Sequence, residues 1–173
     1  MKVNNSAEIR RRIDELKRRK RAVILAHYYT TPEVQEAADF LGDSLALSVK
    51  AQSVDADIIL FAGVHFMAET AKVLCPEKKV LMPDASADCP MAHMVTKAEV
   101  DAAREAYEDL AVVCYINSTA EIKSWSDVSV TSANAVQIVR NLPNQNILFI
   151  PDQNLGRFIA AQVPEKNIIL VNG

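Results

Sequence analysis

The chain contains an internal repeat, and this repeat constrains the possible fold more than any other feature of the sequence. Residues 23–85, moved forward by 88 positions, align with residues 111–173 without a gap. Repetition at a fixed period is typical of chains built from similar structural units. We therefore expect two units, residues 1–88 with an N-terminal helix and residues 89–173 beginning with a linker helix. The matched positions include Thr31 with Thr119, Asp39 with Asp127, Ser44 with Ser132, Ile59-Leu60-Phe61 with Ile147-Leu148-Phe149, and Pro76-Glu77-Lys78 with Pro164-Glu165-Lys166.

Short apolar runs alternate with helical segments inside each repeat. The continuous apolar run 22–26 predicts a strand buried on both faces of a parallel sheet. Alternating strands and helices with short connections predict an α/β fold, here two three-layer αβα units with short parallel sheets. Further strands are predicted at 39–41, 57–62, 80–82, 111–115, 128–130, 147–150 and 168–171.

Capping residues predict where the helices begin. Ser6 is a candidate N-cap for the first helix, which ends near Lys20. Thr96 followed by Glu99 forms a capping-box pattern for a helix over 95–110. Residues 63–66 are predicted to form a loop, and the next helix is predicted to begin at Met67. Other helices are predicted to begin near Pro32, Ser44, Ala120, Ser132 and Leu155.

Composition narrows the classes of function. Half of the residues are hydrophobic, the net charge is −3 and the pI is about 5.6, which disfavours nucleic acid as a partner. No apolar run approaches the roughly 18 residues of a membrane span, and because the polar start is followed by no apolar segment we expect no secretory signal. The three cysteines form no CxxC pair, so we expect a reduced, cytoplasmic setting.

The polar residues just after the central strands are the candidate ligand-binding residues. His27 and Tyr29 follow the first strand, and Tyr115 and Asn117 follow its repeat. Strand alternation places the members of each pair on the same side. Ligands of parallel sheets bind at the carboxyl ends of the strands, so we expect the two clusters to face one another across a shared cleft. The alternative for His27 alone is a histidine that only caps its strand.

Ser44 and Ser132 fall at predicted helix starts, where backbone N–H groups and the helix dipole favour anions. Taken singly, each serine is also explained as a helix cap. Their coincidence in the repeat favours binding of a carboxylate- or phosphate-bearing small molecule. Cys89 lies in a polar loop and precedes Pro90, a position compatible with a metal ligand or with a small buried hydrophobic residue.

Several longer motifs resemble the quinolinate synthase family, the A protein of NAD biosynthesis, over essentially the whole chain. These motifs are Ala26-His27-Tyr28-Tyr29, Ala38-Asp39-Phe40-Leu41-Gly42-Asp43-Ser44-Leu45, Phe61-Ala62-Gly63-Val64-His65-Phe66-Met67-Ala68-Glu69, Cys89-Pro90-Met91-Ala92, Tyr115-Ile116-Asn117-Ser118 and Thr131-Ser132-Ala133-Asn134-Ala135.

The resemblance implies a fold and a reaction. The family has three similar αβα domains around a pseudo-threefold axis, of which this chain would supply two and lack the third. Its members are transferases that condense iminoaspartate with dihydroxyacetone phosphate to give quinolinate, phosphate and water. They use a 4Fe–4S cluster held by three cysteines, one from each domain. L-aspartate oxidase is the functional partner that the resemblance implies.

The resemblance also assigns roles to individual residues. His27 and Tyr29 match catalytic positions, with Tyr29 in proton transfer, and Cys89 matches the first cluster ligand. The position 88 residues after Cys89, where a second ligand is expected, falls at 177, so we expect this chain alone to be inactive. The alternatives are a non-catalytic dicarboxylate-binding module and a remnant of a disrupted gene. The substrate-binding residues that the resemblance implies are His27, Ser44, Tyr115, Ile116, Asn117 and Ser132.

Overall fold

The computed structural model describes residues 3–171, and the chain divides between Asp88 and Cys89 into two compact units. Each unit holds one four-stranded parallel sheet with helices packed against it. The predicted α/β fold with short parallel sheets is therefore confirmed. No helix within the described residues is both long and apolar enough to cross a membrane.

The first unit begins with a long helix and then alternates strand and helix. Its elements are α1 (Val3–Lys20), β1 (Ala22–His27), α2 (Pro32–Ala37), β2 (Phe40–Gly42), α3 (Ser44–Ser53), β3 (Ile58–Ala62), α4 (His65–Leu74) and β4 (Lys79–Leu81).

The second unit repeats this order after a short 3₁₀ helix. Its elements are the 3₁₀ helix Pro90–His93, α5 (Lys97–Ala106), β5 (Leu110–Tyr115), α6 (Ala120–Ser124), β6 (Val128–Val130), α7 (Ala135–Asn141), β7 (Asn146–Ile150), α8 (Gln153–Gln162) and β8 (Asn167–Leu170).

The two sheets have the same topology and the same register. The strand order is β2-β1-β3-β4 in the first sheet and β6-β5-β7-β8 in the second. Leu25 pairs with Phe40 in the first, and Val113 pairs with Val128 in the second. Because both members of the pair move by 88 positions, the repeat predicted from the sequence is a repeat of the backbone.

The central strands carry the core of each unit. Residues 23–26 of β1 and 111–114 of β5 are all buried, as expected for strands covered on both faces. In the second unit, Val113 and Phe149 pack with Ile159 of α8 on one face of the sheet. Val112 and Leu148 pack with Val100 of α5 on the other face. Burying each of these side chains contributes about 1.5–3 kcal/mol.

Several predicted helix starts are wrong by two or three residues. Ser6 lies inside α1 rather than at its N-cap, and α4 begins at His65 rather than Met67. Helix α8 begins at Gln153, two residues before the prediction, because the Asp152 side chain caps it by accepting from the amides of Asn154 and Leu155. The Thr96–Glu99 capping box is confirmed, although its helix ends at Ala106 rather than near residue 110.

Candidate functional site

The candidate site residues lie at equivalent strand ends in the two units. His27 is the last residue of β1 and is paired in register with Gly42 of β2. Tyr115 is the last residue of β5 and is paired with Val130 of β6. Both side chains are half-buried. Each unit thus presents one polar side chain at the carboxyl end of its central strand, where parallel sheets bind ligands.

The loop after β1 is held by hydrogen bonds to its own backbone. The Tyr28 amide donates to the Gly42 carbonyl over 3.3 Å, and the Thr30 hydroxyl donates to the His27 carbonyl over 2.8 Å. The Gln35 side chain donates to the carbonyls of Tyr28 and Thr30 over 2.8 and 2.7 Å. These contacts restrict the conformation of the segment that carries His27 and Tyr29.

Two of these contacts recur in the loop after β5, one repeat later. The Ile116 amide donates to the Val130 carbonyl over 2.8 Å. The buried Ser118 hydroxyl donates to the Tyr115 carbonyl over 2.7 Å. Thr119, also buried, caps α6 by accepting from the Ile122 amide. Ile116 itself is half-buried, and its hydrogen bond to the sheet is made by its backbone amide.

The structure brings His27 and Tyr29 into direct contact. Their ring centroids are 4.0 Å apart with an interplanar angle of 33°. The Tyr29 amide donates to His27 Nδ1 over 3.3 Å. The Tyr29 side chain is 56% exposed, and its hydroxyl lies 3.8 Å from Met67 Sδ. The prediction that the two residues share one side of the strand end agrees with this geometry.

The environment of His27 favours its neutral form. Burial lowers the pKa of His27 below its ordinary value, because the charged imidazolium loses solvation. The negative charge of Asp43 opposes this effect and raises the pKa in part. Asp43 follows Gly42, the register partner of His27, so the carboxylate belongs to the same strand-end cluster.

Tyr115 and Asn117 form the equivalent pair in the second unit. The Asn117 Nδ2 donates to the Tyr115 hydroxyl oxygen over 3.0 Å. Positions 115 and 117 correspond to 27 and 29 in the repeat, and each pair is joined by a contact between its members. The residue at the strand end therefore contacts the residue two positions later in both units.

The two serines occupy different local structures. Ser44 is the first residue of α3, and the N-cap is Asp43, whose side chain accepts from the Ala46 amide over 2.8 Å. Ser44 is therefore not needed as a cap. Ser132 lies in an exposed turn and α7 begins at Ala135, so the predicted helix start at Ser132 is wrong. The Asn134 side chain accepts from the Thr131 amide over 2.7 Å and stabilises this turn.

Cys89 is half-buried and directly precedes the 3₁₀ helix. The loop before it is fixed at two points. The Asp84 carboxylate accepts from the Ser86 amide and hydroxyl, which lowers the Asp84 pKa, and the Ala87 carbonyl accepts from the His65 amide over 3.0 Å. These contacts restrain the backbone that leads to Cys89.

The other two cysteines are unsuited to bind a metal. Cys75 and Cys114 are 1% and 0% exposed, and burial raises the pKa of each thiol. Residues 3–171 contain no cluster of three or more histidine, cysteine, aspartate or glutamate side chains of the kind that holds a metal ion. The donor set of the described chain therefore fits one cysteine ligand to a metal group, Cys89, and no complete site.

Two open cavities lie in different parts of the molecule. One of about 440 Å³ lies in the second unit at the carboxyl end of β7, between Met91 and Met94 and the segment 151–154. A slightly larger one of about 470 Å³ lies in the first unit beside the amino end of β1. His27 does not line the larger cavity, so cavity volume does not identify the strand-end cluster.

The contacts from Thr30 and Ser118 were not predicted from the sequence. The repeat contained a signal, because both residues carry a hydroxyl and lie 88 positions apart. The cap formed by Asp43 was also missed, since the adjacent Ser44 is an equally common capping residue. The contact between Tyr29 and Met67 has no signal in the sequence, because it joins residues of different elements.

By its fold this is an α/β protein with two parallel sheets, and polar side chains follow its central strands β1 and β5. The chain belongs to the family described as "Quinolinate synthetase A protein", which matches residues 11–173.

Proteins named quinolinate synthase are similar to the chain over nearly all of its length. The protein from Caldicellulosiruptor saccharolyticus is 56% identical over 166 residues, which cover 96% of this chain and 55% of that protein. The protein from Sulfurihydrogenibium sp. is 54% identical over 169 residues, 98% of this chain and 55% of that protein. The chain therefore spans just over half the length of these curated relatives.

Proposed function

We propose that these residues form part of a quinolinate synthase, a transferase that condenses iminoaspartate with dihydroxyacetone phosphate to quinolinate, phosphate and water. The observation that carries the proposal is the family match over residues 11–173. The relatives named quinolinate synthase, which are 52–56% identical, support it further. The reaction belongs to NAD biosynthesis, and we place it in the cytoplasm, where the three free cysteines would stay reduced.

The strand-end residues are the proposed substrate contacts. His27, Tyr115 and Asn117 supply N–H and O–H groups that suit the carboxylates of iminoaspartate. The Ser44 hydroxyl lies in the first turn of α3, where the helix dipole favours a carboxylate or phosphate oxygen. Ile116 would contribute through the same loop and Ser132 through the turn before α7. L-aspartate oxidase remains the proposed source of the imino acid.

Tyr29 is the proposed proton-transfer residue. Tyr29 is 56% exposed, and its ring contacts the His27 ring. Tyrosine has an ordinary pKa of about 10 and therefore suits proton donation better than abstraction. Substitution of Tyr29 by Phe removes this proton but keeps the ring that contacts His27. We expect it to lower kcat by about 100-fold.

Cys89 is the proposed ligand of a 4Fe–4S cluster. It is the half-buried cysteine of the three, and the loop before it is held by hydrogen bonds at two points. When bound, the cluster would supply an iron with an open coordination position that acts as a Lewis acid in the dehydration. Residues 1–173 contribute a single suitable thiol, so we expect this polypeptide alone neither to hold the cluster nor to form quinolinate.

The experiment measures quinolinate formation by the anaerobically prepared full-length protein and by three variants. Cys89→Ser should abolish both the cluster absorption and turnover. Tyr29→Phe should lower turnover and leave the absorption unchanged, and Cys75→Ser serves as the matched control for thiol removal. Unchanged turnover in Tyr29→Phe would remove Tyr29 from proton transfer. Absence of quinolinate despite an intact cluster spectrum would contradict the proposed function.

The second candidate function is dicarboxylate binding without catalysis by residues 1–173. The single suitable cysteine favours it, because the polar strand ends are present while the part of the chain that the structure describes holds no group of three or more metal-binding side chains. Calorimetry with succinate should then show weak binding that Ser44→Ala reduces, whereas no heat at millimolar succinate would reject this candidate.

A further inference from the structure

The cavity beside the amino end of β1 lies at the opposite end of the first sheet from the strand-end residues. Its volume is about 470 Å³, within the range of about 300–1,000 Å³ that is usual for small-molecule sites. Ala22, which lines the cavity, and His27 are the first and last residues of β1. A strand rises about 3.3 Å per residue, so the two ends are about 16 Å apart. A small ligand in this cavity would therefore not contact His27.

The charges around the cavity favour an anion. Two aspartates and one lysine line it. Asp39 is paired with Lys17 over 2.7 Å, and Asp55 is paired with Arg21, also over 2.7 Å. Within residues 3–171, Lys50 has an aromatic ring as its contact and no carboxylate partner. Both acidic groups are thus neutralised by other residues, whereas the positive charge of Lys50 is not.

The C-terminal end of α3, which forms one wall of the cavity, does not oppose an anion. Helix C-termini expose carbonyl oxygens and carry a partial negative charge. At this end, Lys78 Nζ donates to the carbonyls of Ala51 and Val54, each over 2.7 Å. Because a positive charge already offsets these carbonyls, the charge of Lys50 remains available to a ligand.

Phe40 gives the cavity an aromatic surface beside this charge. Lys50 Nζ lies 4.3 Å from the centroid of the Phe40 ring. Phe40 is 37% exposed and belongs to β2, at the edge of the sheet. A lysine ammonium has three N–H donors, so a contact with a ring leaves it able to donate to an anion. Much of the remaining lining is aliphatic and consists of Ala22, Val23, Val54 and Ala56.

The second unit keeps the fold but not this arrangement. Positions 40 and 50 correspond to Val128 and Ile138, which lie 88 residues later. Both are partly buried and pack against the core of the second unit. The two sheets nevertheless have the same strand order and register. Since the fold forms with aliphatic residues at these positions, it does not require the phenylalanine and the lysine of the first unit.

We propose that this cavity is a binding site for a small aromatic carboxylate. The carboxylate of the ligand pairs with Lys50 Nζ in a charge-assisted hydrogen bond. Its ring packs against the Phe40 ring, offset or edge to face, and against the aliphatic lining. An aliphatic dicarboxylate would bring a second charge against that lining, which costs affinity. The site therefore differs in ligand from the strand-end residues.

Calorimetry with benzoate tests the charge that the site recognises. Benzoate should bind with a Kd of about 1 mM, and uncharged benzamide should bind at least about tenfold more weakly. Lys50→Met keeps the length of the side chain and should raise the Kd for benzoate by at least about tenfold. Lys79→Met, at an exposed position of β4, is the matched control and should leave the Kd unchanged. Absence of binding at about 20 mM benzoate, or equal affinity in Lys50→Met, would overturn the inference.

Nuclear magnetic resonance locates the bound benzoate. The chain has five phenylalanines, of which Phe40 and Phe158 are exposed. In phenylalanine-labelled protein, nuclear Overhauser effects from the benzoate ring should reach Phe40 and not Phe158. Phe40→Leu assigns the signal and should raise the Kd by about fivefold, whereas Phe158→Leu is the matched control and should leave it unchanged. Effects at Phe158 without effects at Phe40 would overturn the inference.

Two variants separate this site from the strand-end residues and from the proposed function. His27→Gln should leave the Kd for benzoate unchanged. Loss of benzoate binding in His27→Gln, with binding retained in Lys50→Met, would place the carboxylate at the strand end and overturn the inference. Full-length Lys50→Met should form quinolinate at the unsubstituted rate. Protein that binds benzoate through Lys50 but forms no quinolinate would contradict only the proposed function.

Discussion

Asp39 and Asp127 hold the central strands of the two sheets in the same way. The Asp39 carboxylate accepts from the Ile24 amide over 2.8 Å, and the Asp127 carboxylate accepts from the Val112 amide over 2.7 Å. Each carboxylate also forms an ion pair with a basic residue of the helix that precedes the central strand. Lys17 of α1 pairs with Asp39, and Arg104 of α5 pairs with Asp127. The aspartate therefore fixes strand and helix together in both units.

Removal of this carboxylate should destabilise the unit that contains it. Asp127→Ala leaves the buried Val112 amide without its acceptor, which costs about 1–3 kcal/mol. Asp127→Asn keeps an acceptor oxygen and should therefore lower the free energy of unfolding by less than Asp127→Ala does. Urea denaturation followed by circular dichroism measures both. Equal losses for Ala and Asn would show that the charge, rather than acceptance from the strand, stabilises the unit. Asp55→Ala, 91% exposed in its side chain, is the control and should change stability by less than about 0.5 kcal/mol.

Lys78 and Lys166 donate hydrogen bonds to backbone carbonyls at or just after the C-terminal ends of two equivalent helices, α3 and α7. Lys166 Nζ donates to the carbonyls of Leu142 and Asn144, each over 2.7 Å. Lys78 Nζ donates over 2.7 Å to the carbonyls of Ala51, in the last turn of α3, and of Val54, the C-cap of that helix. Hydrogen bonds from a charged donor to a helix end are stronger than neutral ones.

Lys166→Met should therefore lower the free energy of unfolding by about 2 kcal/mol. Methionine keeps the length of the side chain and removes the donor. Lys97→Met is the matched control, because Lys97 is exposed and its hydrogen-bond partner is Asp101 in the same helix. Equal decreases in the free energy of thermal unfolding for the two substitutions would show that the contacts from Lys166 to the carbonyls do not stabilise the protein.

The titration of His27 should depend on Asp43. Burial lowers the pKa of His27 and the Asp43 charge raises it, so Asp43→Asn should lower the pKa further while keeping a capping side chain for α3. A pH titration followed by nuclear magnetic resonance measures this shift. Glu69 lies 3.7 Å from His65 and does not contribute to the shift of the His27 pKa, so Glu69→Gln should leave the pKa of His27 unchanged. An upward shift in Asp43→Asn would contradict the assignment.

The same shift predicts how stability changes with pH. The pKa of His27 is lower in the folded protein than the ordinary value of about 6.5, so the unfolded chain binds more protons between the two values. The stability that neutral His27 contributes is present above about pH 6.5 and is lost as the pH falls through the folded pKa. His27→Gln should remove this component, and urea midpoints at pH 7.5 and 5.5 measure it. If the unsubstituted protein and His27→Gln lost equal stability between pH 7.5 and 5.5, the loss would not come from His27.

The cysteines should differ in reactivity. Cys89 is half-buried, whereas burial covers Cys75 and Cys114 and raises their pKa values. Iodoacetamide at pH 8 should therefore modify one cysteine of the folded protein, Cys89. In urea it should modify all three cysteines. Peptide mass spectrometry locates the label. Modification of Cys114 at the rate of Cys89 would show that the sheet of the second unit opens readily.

The repeat made the strands predictable, because a buried strand leaves a continuous apolar run that survives in both copies. Strands β1 and β5 were placed within one residue of their ends for this reason. The helix starts were less predictable, because several capping residues compete locally. Asn134 stabilises a turn after Ser132, and Asp43 rather than Ser44 caps α3.

The strand-end pairs could be predicted in part. Alternation along a strand places His27 beside Tyr29, but it does not show that the Tyr29 amide reaches Nδ1. The contact between Tyr29 and Met67 depends on how α4 packs on the sheet, and this packing leaves no local pattern. The assignment of Cys89 came from resemblance, since a lone cysteine in a loop has no spacing from which to infer a site.

The most direct test of this account is the kcat/KM for iminoaspartate of the full-length protein with one substitution in each unit. His27→Gln and Tyr115→Phe each remove a proposed donor from an equivalent strand end. Each should lower kcat/KM by at least about tenfold while leaving the cluster absorption unchanged. An unchanged kcat/KM in either variant would contradict the claim that both repeats supply the substrate contacts.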